Sequence, residues 1–171
     1  MGRDHAPFSL FSSESPVVGF HGGYEDDFRP ITHPAGGYLV QVYAVSRWVG
    51  MKPRDTVFCT VSLGWITGVS HCLLGALMVG STALFYNGSP DQPSWGRWLE
   101  VMDNYAATLY ITTSTALRLL KENLEHVKGY ELDALKAIIV TGEPLEDSLW
   151  QWAYATVSTG SSPLIDSVPG R

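Results

Sequence analysis

The sequence predicts an α/β fold of three layers, a mostly parallel sheet of about five or six strands flanked by helices. Short β-branched or apolar runs alternate with longer stretches of helical period along most of the chain. Pro, Gly and Asn turns separate the runs, and alternation of this kind implies right-handed crossovers between parallel strands. No internal repeat or low-complexity tract competes with that pattern.

The first 30 residues are rich in Ser, Gly and Pro, carry Glu25-Asp26-Asp27, and read as loop with a short strand near Phe8 to Phe11. Gly36 to Trp48 then places Leu39, Val42, Tyr43 and Val45 on one broad face, predicting a helix that ends near Gly50 and Pro53. Asp55 to Thr60, behind a Pro-Arg-Asp turn, is a buried strand. Ser70 to Val79 has helical length and closes on Gly80. Ser81 to Tyr86 follows as a second buried strand, stopped by Asn87-Gly88-Ser89-Pro90.

Trp95, Trp98, Leu99, Met102 and Tyr105 form the apolar stripe of a helix lying on a sheet, and Thr108 to Thr112 is the next strand. Leu117, Leu120, Leu124 and Val127 mark a further helical face, with Arg118, Lys121, Glu122 and Glu125 on the wet side. Lys136 to Val140 is an apolar strand. Pro144 precedes a helix whose start carries Glu146 and Asp147, suited to its positive end, and whose buried side is Leu149, Trp150, Ala153 and Val157. Ser158 to Ser162 is a Gly/Ser turn, and Pro163 to Ile165 is the last strand.

At 171 residues, 45% hydrophobic and 16% charged, the chain is long enough to form one domain with a sizeable core. A net charge of -6 and the lack of any Lys/Arg run argue against nucleic-acid and anionic-membrane partners, which require a clustered basic face. The longest apolar run, Cys72 to Val79, is far short of the roughly 18 residues that span a bilayer. Met1 to Pro16 has no apolar stretch behind a basic start, so no secretory signal is expected. Cys59 and Cys72 lack framework spacing and read as free thiols in a reducing compartment. These features predict a soluble, cytoplasmic protein. His71 with Cys59 and Cys72 lacks a paired ligand spacing, so these residues read as core rather than metal ligands, and no G-x-S-x-G elbow is present.

Three spaced blocks carry the functional signal: Leu63-Gly64-Trp65-Ile66-Thr67-Gly68, Ser114-Thr115-Ala116-Leu117-Arg118 and Thr141-Gly142-Glu143-Pro144. They resemble the I-G-W-I-T-G, P-T-A-I-R and V-G-E-P stretches of the AMP-forming acyl-CoA synthetases that activate acetate. Upstream, His33-Pro34-Ala35-Gly36-Gly37-Tyr38-Leu39 is similar to the family's H-x-x-G-G-Y-L block. The resemblance covers Thr32 to Asp166. It implies that residues 32–171 are part of the N-terminal, AMP-binding domain of an acyl-adenylate-forming enzyme, that residues 1–31 are a divergent, irregular segment, and that the C-terminal lid is absent.

The resemblance implies a reaction in which acetate or another short acid is joined to AMP from ATP and then passed to CoA, with Mg as the metal of the nucleotide. Gly142, Glu143 and Pro144 would border adenine, while Trp65, Ile66, Thr67 and Thr141 would line the acyl pocket. A bulky indole at a carboxyl site restricts the acyl chain to a few carbons. Adenylation also requires cations around the phosphates. The family supplies them from a Gly/Ser/Thr-rich loop with two lysines, where this chain has His21-Gly22-Gly23-Tyr24-Glu25-Asp26-Asp27-Phe28-Arg29-Pro30. Three carboxylates there would repel a triphosphate by several kcal/mol if poorly solvated. The other reading of the residues is accordingly a truncated, catalytically inactive relative, either an interaction module or a non-functional fragment. Neither catalytic nor metal-ligating residues are assigned, and self-association or a complementing chain is expected.

Overall fold

The computed structural model describes residues 17–21, 29–123, 125, 129–158 and 160–167. Five parallel strands form the central sheet: β3 (Thr56–Cys59), β4 (Thr82–Phe85), β5 (Leu109–Thr113), β6 (Ala137–Thr141) and β7 (Leu164–Ser167), in the order β4-β3-β5-β6-β7. Every pairing in that sheet is parallel, from Val57 opposite Leu109 to Thr141 opposite Ser167. Alternate residues of one strand point to opposite faces, and both faces of this sheet are covered.

On one face Phe58, Tyr110, Ile138 and Val140 pack against α3 (Arg97–Asn104), α4 (Ser114–Glu122) and α5 (Asp147–Thr156) through Leu99, Met102, Leu117, Leu120, Leu149 and Ala153. On the other, Val57, Cys59, Ile111 and Ile139 meet Val49 and Met51, which follow α1 (Ala35–Trp48). The same cluster takes in Cys72 of a π-helical stretch (Gly68–Gly75) and Ala76 and Val79 of α2 (Ala76–Val79). The three-layer α/β architecture expected from the sequence is therefore present. Two devices set the ends of its elements. Gly80, at φ 83°, closes α2, and Thr113 Oγ1 accepts the Ala116 N–H at 3.1 Å to start α4.

At the amino end of the sheet, buried Asp55 accepts the Lys52 backbone N–H at 2.8 Å and a bond from Lys136 Nζ at 2.7 Å. Thr108 Oγ1 accepts the Thr56 N–H at 3.0 Å beside it. These contacts tie the entrances of β3, β5 and β6 to one another.

Several expectations are corrected. The loop reading of residues 1–30 missed an antiparallel pair, β1 (Val17–His21) and β2 (Arg29–His33), registered from Val17 opposite His33 to His21 opposite Arg29. The expected strand at Phe8 to Phe11, the acidic triplet, Leu124 and Val127 lie outside the described residues. The buried face of α1 is Ala35, Tyr38, Val42 and Ser46, so Leu39 and Tyr43 are exposed, because the helix docks on the π-helical stretch through Tyr38, whose hydroxyl lies 2.5 Å from Ser70 Oγ. β4 is an edge strand and only half-buried, since β3 alone pairs with it. Trp150 and Tyr105 lie outside the core. Trp150 instead stacks on Tyr154 with ring centroids 5.1 Å apart.

The free-thiol reading is also overturned. Cys59 and Cys72 form a disulfide with a Cα–Cα distance of 5.9 Å, well inside the range a disulfide spans. They stand 13 positions apart in sequence, yet the chain turns back after β3 and lays the π-helical stretch on the strand it has just left. Spacing alone does not reveal that return.

Candidate functional site

Parallel strands bring all their carboxyl ends to one edge, and the loops leaving β3, β5 and β6 meet there. They enclose a cavity of about 380 Å³ lined by Thr60, Val61, Ser62, Trp65, Thr113, Thr115, Gly142 and Glu143. Each of the three sequence blocks therefore reaches this edge, and all three contribute to the cavity wall. Trp65 and Gly142–Pro144 share the edge without following neighbouring strands. Trp65 follows β3 and Thr141 ends β6, with β5 between them.

Glu143 is the polar centre of the wall. Its Oε1 accepts both the backbone N–H of Thr115, at 2.6 Å, and the Thr115 hydroxyl, at 2.5 Å, so it caps the first turn of α4. Ser114 Oγ donates back to the carbonyls of Glu143 and Pro144, at 3.3 Å each. The Thr115 hydroxyl bond, followed by its backbone N–H and the Arg118 charge, outweighs desolvation and holds the Glu143 carboxyl below the ordinary carboxylate range. Gly142 turns the chain at φ 91° between β6 and this carboxylate.

Trp65 sits on a turn in which its N–H donates to Ser62 O at 3.0 Å and the Gly64 N–H to Ser62 Oγ at 3.1 Å. Its indole is 62% exposed and faces the cavity as an open apolar wall. Ile66 is exposed, Thr67 is half-buried and Thr141 is buried as the last residue of β6; none of the three lines the cavity, and neither does exposed Pro144. Sequence reasoning missed Thr60, Val61, Ser62, Thr113 and Thr115 as wall residues. The usable signal was positional, because residues just past the carboxyl ends of parallel strands are where open α/β sheets bind ligands.

Removing the Thr115 hydroxyl gives a direct test of this electrostatic arrangement. Thr115→Val is expected to raise the Glu143 pKa toward its ordinary value while leaving it lowered, since the backbone N–H and Arg118 remain. A carboxyl carbon NMR titration checks this, and an unchanged midpoint would show that the hydroxyl bond contributes nothing.

Among the described residues, Glu143 is the one ionisable side chain that lines the cavity. The indole and hydroxyls border a volume within the roughly 300–1,000 Å³ of small-molecule sites. A triphosphate does not fit the described part of this wall, where the described residues offer it a carboxylate and no cation. Nor do the described residues gather three or more His, Cys, Asp or Glu side chains that could hold a metal ion.

A doubly covered parallel sheet with a cavity at its carboxyl edge defines an open α/β domain, the class that holds its ligands at that edge. The particular lineage follows from comparison with known proteins: the family model described as "AMP-binding enzyme" matches residues 30–166, and the chain belongs to that family. It is 33% identical over 166 residues to an acetyl-coenzyme A synthetase of Wolinella succinogenes, covering 95% of this chain and 25% of that protein. The corresponding protein of Leptospira biflexa is 33% identical over 168 residues, with 96% and 26% covered. That of Pyrobaculum aerophilum is 34% identical over 153 residues, with 88% and 22% covered. The chain thus spans about a quarter of the length of the curated relatives it matches. No described helix is long and apolar enough to cross a membrane.

Proposed function

We infer that this chain forms the acyl and adenine walls of an adenylate-forming site, in an acetyl-CoA synthetase-like ligase that activates acetate or another short acid. The observation that supports the reading best is the convergence of Trp65, Thr115 and Gly142–Glu143, from three separate sequence blocks, on one cavity. Gly142 and Glu143, with Pro144 behind them, border the adenine. Trp65 closes the acyl side, with Ile66, Thr67 and Thr141 supporting it, and its indole restricts the acid to a few carbons.

ATP, magnesium and CoA belong to the reaction of this reading. When bound, ATP supplies the activated phosphorus that the acid's carboxylate attacks. This chain's wall orients the adenosine and the acid, and Thr115 holds the ionised Glu143 carboxylate in place. The phosphates, their metal and CoA are assigned to parts of the site other than this wall. A domain comprising residues 32–171 and a cytoplasmic location both fit the same reading.

The test is calorimetric titration of the 171-residue chain with an acetyl-sulfamoyl adenosine, which mimics the mixed anhydride without a triphosphate. Saturable binding is expected, weakened about tenfold by Trp65→Ala, as for loss of an aromatic contact worth roughly 1–1.5 kcal/mol. A mimic with a longer acyl chain should bind less well than the acetyl form. Acetate-dependent exchange of pyrophosphate into ATP is expected to be undetectable with this chain alone. Absence of saturable binding, or binding indifferent to Trp65→Ala, would overturn the assignment.

A further inference from the structure

The Cys59–Cys72 disulfide encloses the segment that carries the site's indole. Cys59 is the last residue of β3, Cys72 lies in the π-helical stretch, and between them run Thr60, Val61, Ser62 and Trp65 of the cavity wall. We propose that this disulfide is a redox latch that holds the Trp65 segment in its site-forming position. The latch regulates the site inferred above and rests on that reading only for its effect on ligand binding.

Closing a loop of this size removes conformations in which the segment has left the sheet, so the bond acts mainly on how often the segment opens. The native position does not depend on it. Cys59 and Cys72 are both buried in the apolar cluster that also holds Val61, Ala76 and Val79, and Gly68 packs tightly over the Ser62 carbonyl. Reduction therefore leaves the folded arrangement available while releasing the covalent restraint. Cys59 is 3% exposed and Cys72 fully enclosed, so a reductant reaches the bond only when the segment lifts from the sheet.

The chemistry is a two-electron thiol–disulfide exchange with a dithiol reductant. A thiolate of the reductant attacks Cys59 Sγ, the sulfur–sulfur bond breaks, and Cys72 departs as a thiolate that takes up a proton. The reductant's second thiol, as thiolate, then attacks its own sulfur in the mixed disulfide. Cys59 is released as a thiolate and protonated, and the reductant leaves as a cyclic disulfide.

Hydrogen exchange read by mass spectrometry on the 171-residue chain tests the latch without any ligand. Oxidised protein, prepared with glutathione disulfide, is compared with protein held in dithiothreitol. Amides of residues 60–71 are expected to exchange on the order of tenfold faster after reduction, with the strands β5 and β6 unchanged. Cys72→Ala should exchange at the reduced rate under both conditions. If that variant does not fold, the two states of the unaltered protein still decide. Two titratable thiols after oxidation, or identical exchange in the two states, would overturn the latch. In a parallel arm, the acetyl-sulfamoyl adenosine is titrated into both states. Tighter binding to the oxidised form extends the latch to the site, equal binding removes its regulatory role, and binding to neither form rejects the ligand assignment while the exchange result continues to judge the latch.

Discussion

Gly68→Ala is expected to lower the melting temperature by roughly 6–12 °C, because a methyl forced into a packed site costs about 3 kcal/mol at the upper end and each kcal/mol shifts a chain of this size by about 2–4 °C. A Cβ at this position would lie 2.2 Å from the Ser62 carbonyl oxygen and 2.8 Å from its carbon. Both are backbone atoms, so the clash is not relieved by a rotamer change. The segment between Ser62 and Gly68 must move, and Trp65 rides on it, so binding of the adenylate mimic should be lost along with stability.

Gly75→Ala is the informative contrast. Its nearest obstruction is the Ser46 hydroxyl, at 2.1 Å, with the Ser46 Cβ at 3.2 Å. Combining it with Ser46→Ala removes the worst contact, so the double variant should regain part of the lost stability, whereas no side-chain change is expected to rescue Gly68→Ala. Thermal melts of the four proteins by circular dichroism decide the matter. A Gly68→Ala chain that melts with the unaltered protein would mean that the π-helical stretch does not press on the Trp65 turn.

The architecture was legible because strand and helix signals alternate cleanly. Asp55 to Thr60, Thr108 to Thr112 and Lys136 to Val140 are short apolar runs between turns, and each became a parallel strand buried on both faces. The errors arose where burial depends on partners that local sequence does not name. Leu39 and Tyr43 looked like a core face by periodicity, but the docking of Tyr38 against Ser70 rotates that face outward. Ser81 to Tyr86 looked as buried as its neighbours, and its edge position is a property of strand order, which periodicity does not encode. The disulfide is a contact across a chain reversal, likewise invisible to spacing.

The site divides in the same way. Trp65, Gly142 and Glu143 could be marked from sequence blocks, and they do share one cavity. Thr115 was quoted within its block without a role, because its importance lies in a bond to a carboxylate 28 positions away. Thr60 donates to Thr112 Oγ1 at 2.8 Å across neighbouring strands, which again requires the register.

The second large effect is expected at the opposite end of the sheet, where Asp55→Ala should cost about 2–3 kcal/mol and lower the melting temperature by roughly 5–10 °C. Removing one partner of a buried ion pair costs about 3–5 kcal/mol when the other is stranded, but Lys136 is 60% exposed and regains water, so the lower figure applies. What remains is the loss of the acceptor for the Lys52 N–H and of the tie from β3 to β6. Burial by itself raises the Asp55 pKa; bonds from Lys136, the Lys52 backbone and Thr108, with the Lys136 charge, outweigh it and hold the carboxyl below its ordinary value. A lowered folded pKa means that the unfolded chain binds the proton more readily. The stabilisation is therefore complete above the unfolded carboxylate value, near 3.9, and is lost as pH falls through the lower folded value. Asp55→Asn keeps an acceptor for Lys52 and removes the charge, so it should destabilise less than Asp55→Ala near neutrality and flatten the acid limb of the stability profile. Urea melts of the three proteins between about pH 2 and pH 7 measure this directly, and parallel acid limbs for Asp55→Asn and the unaltered chain would show that the Asp55 charge does not hold the entrances of these strands together.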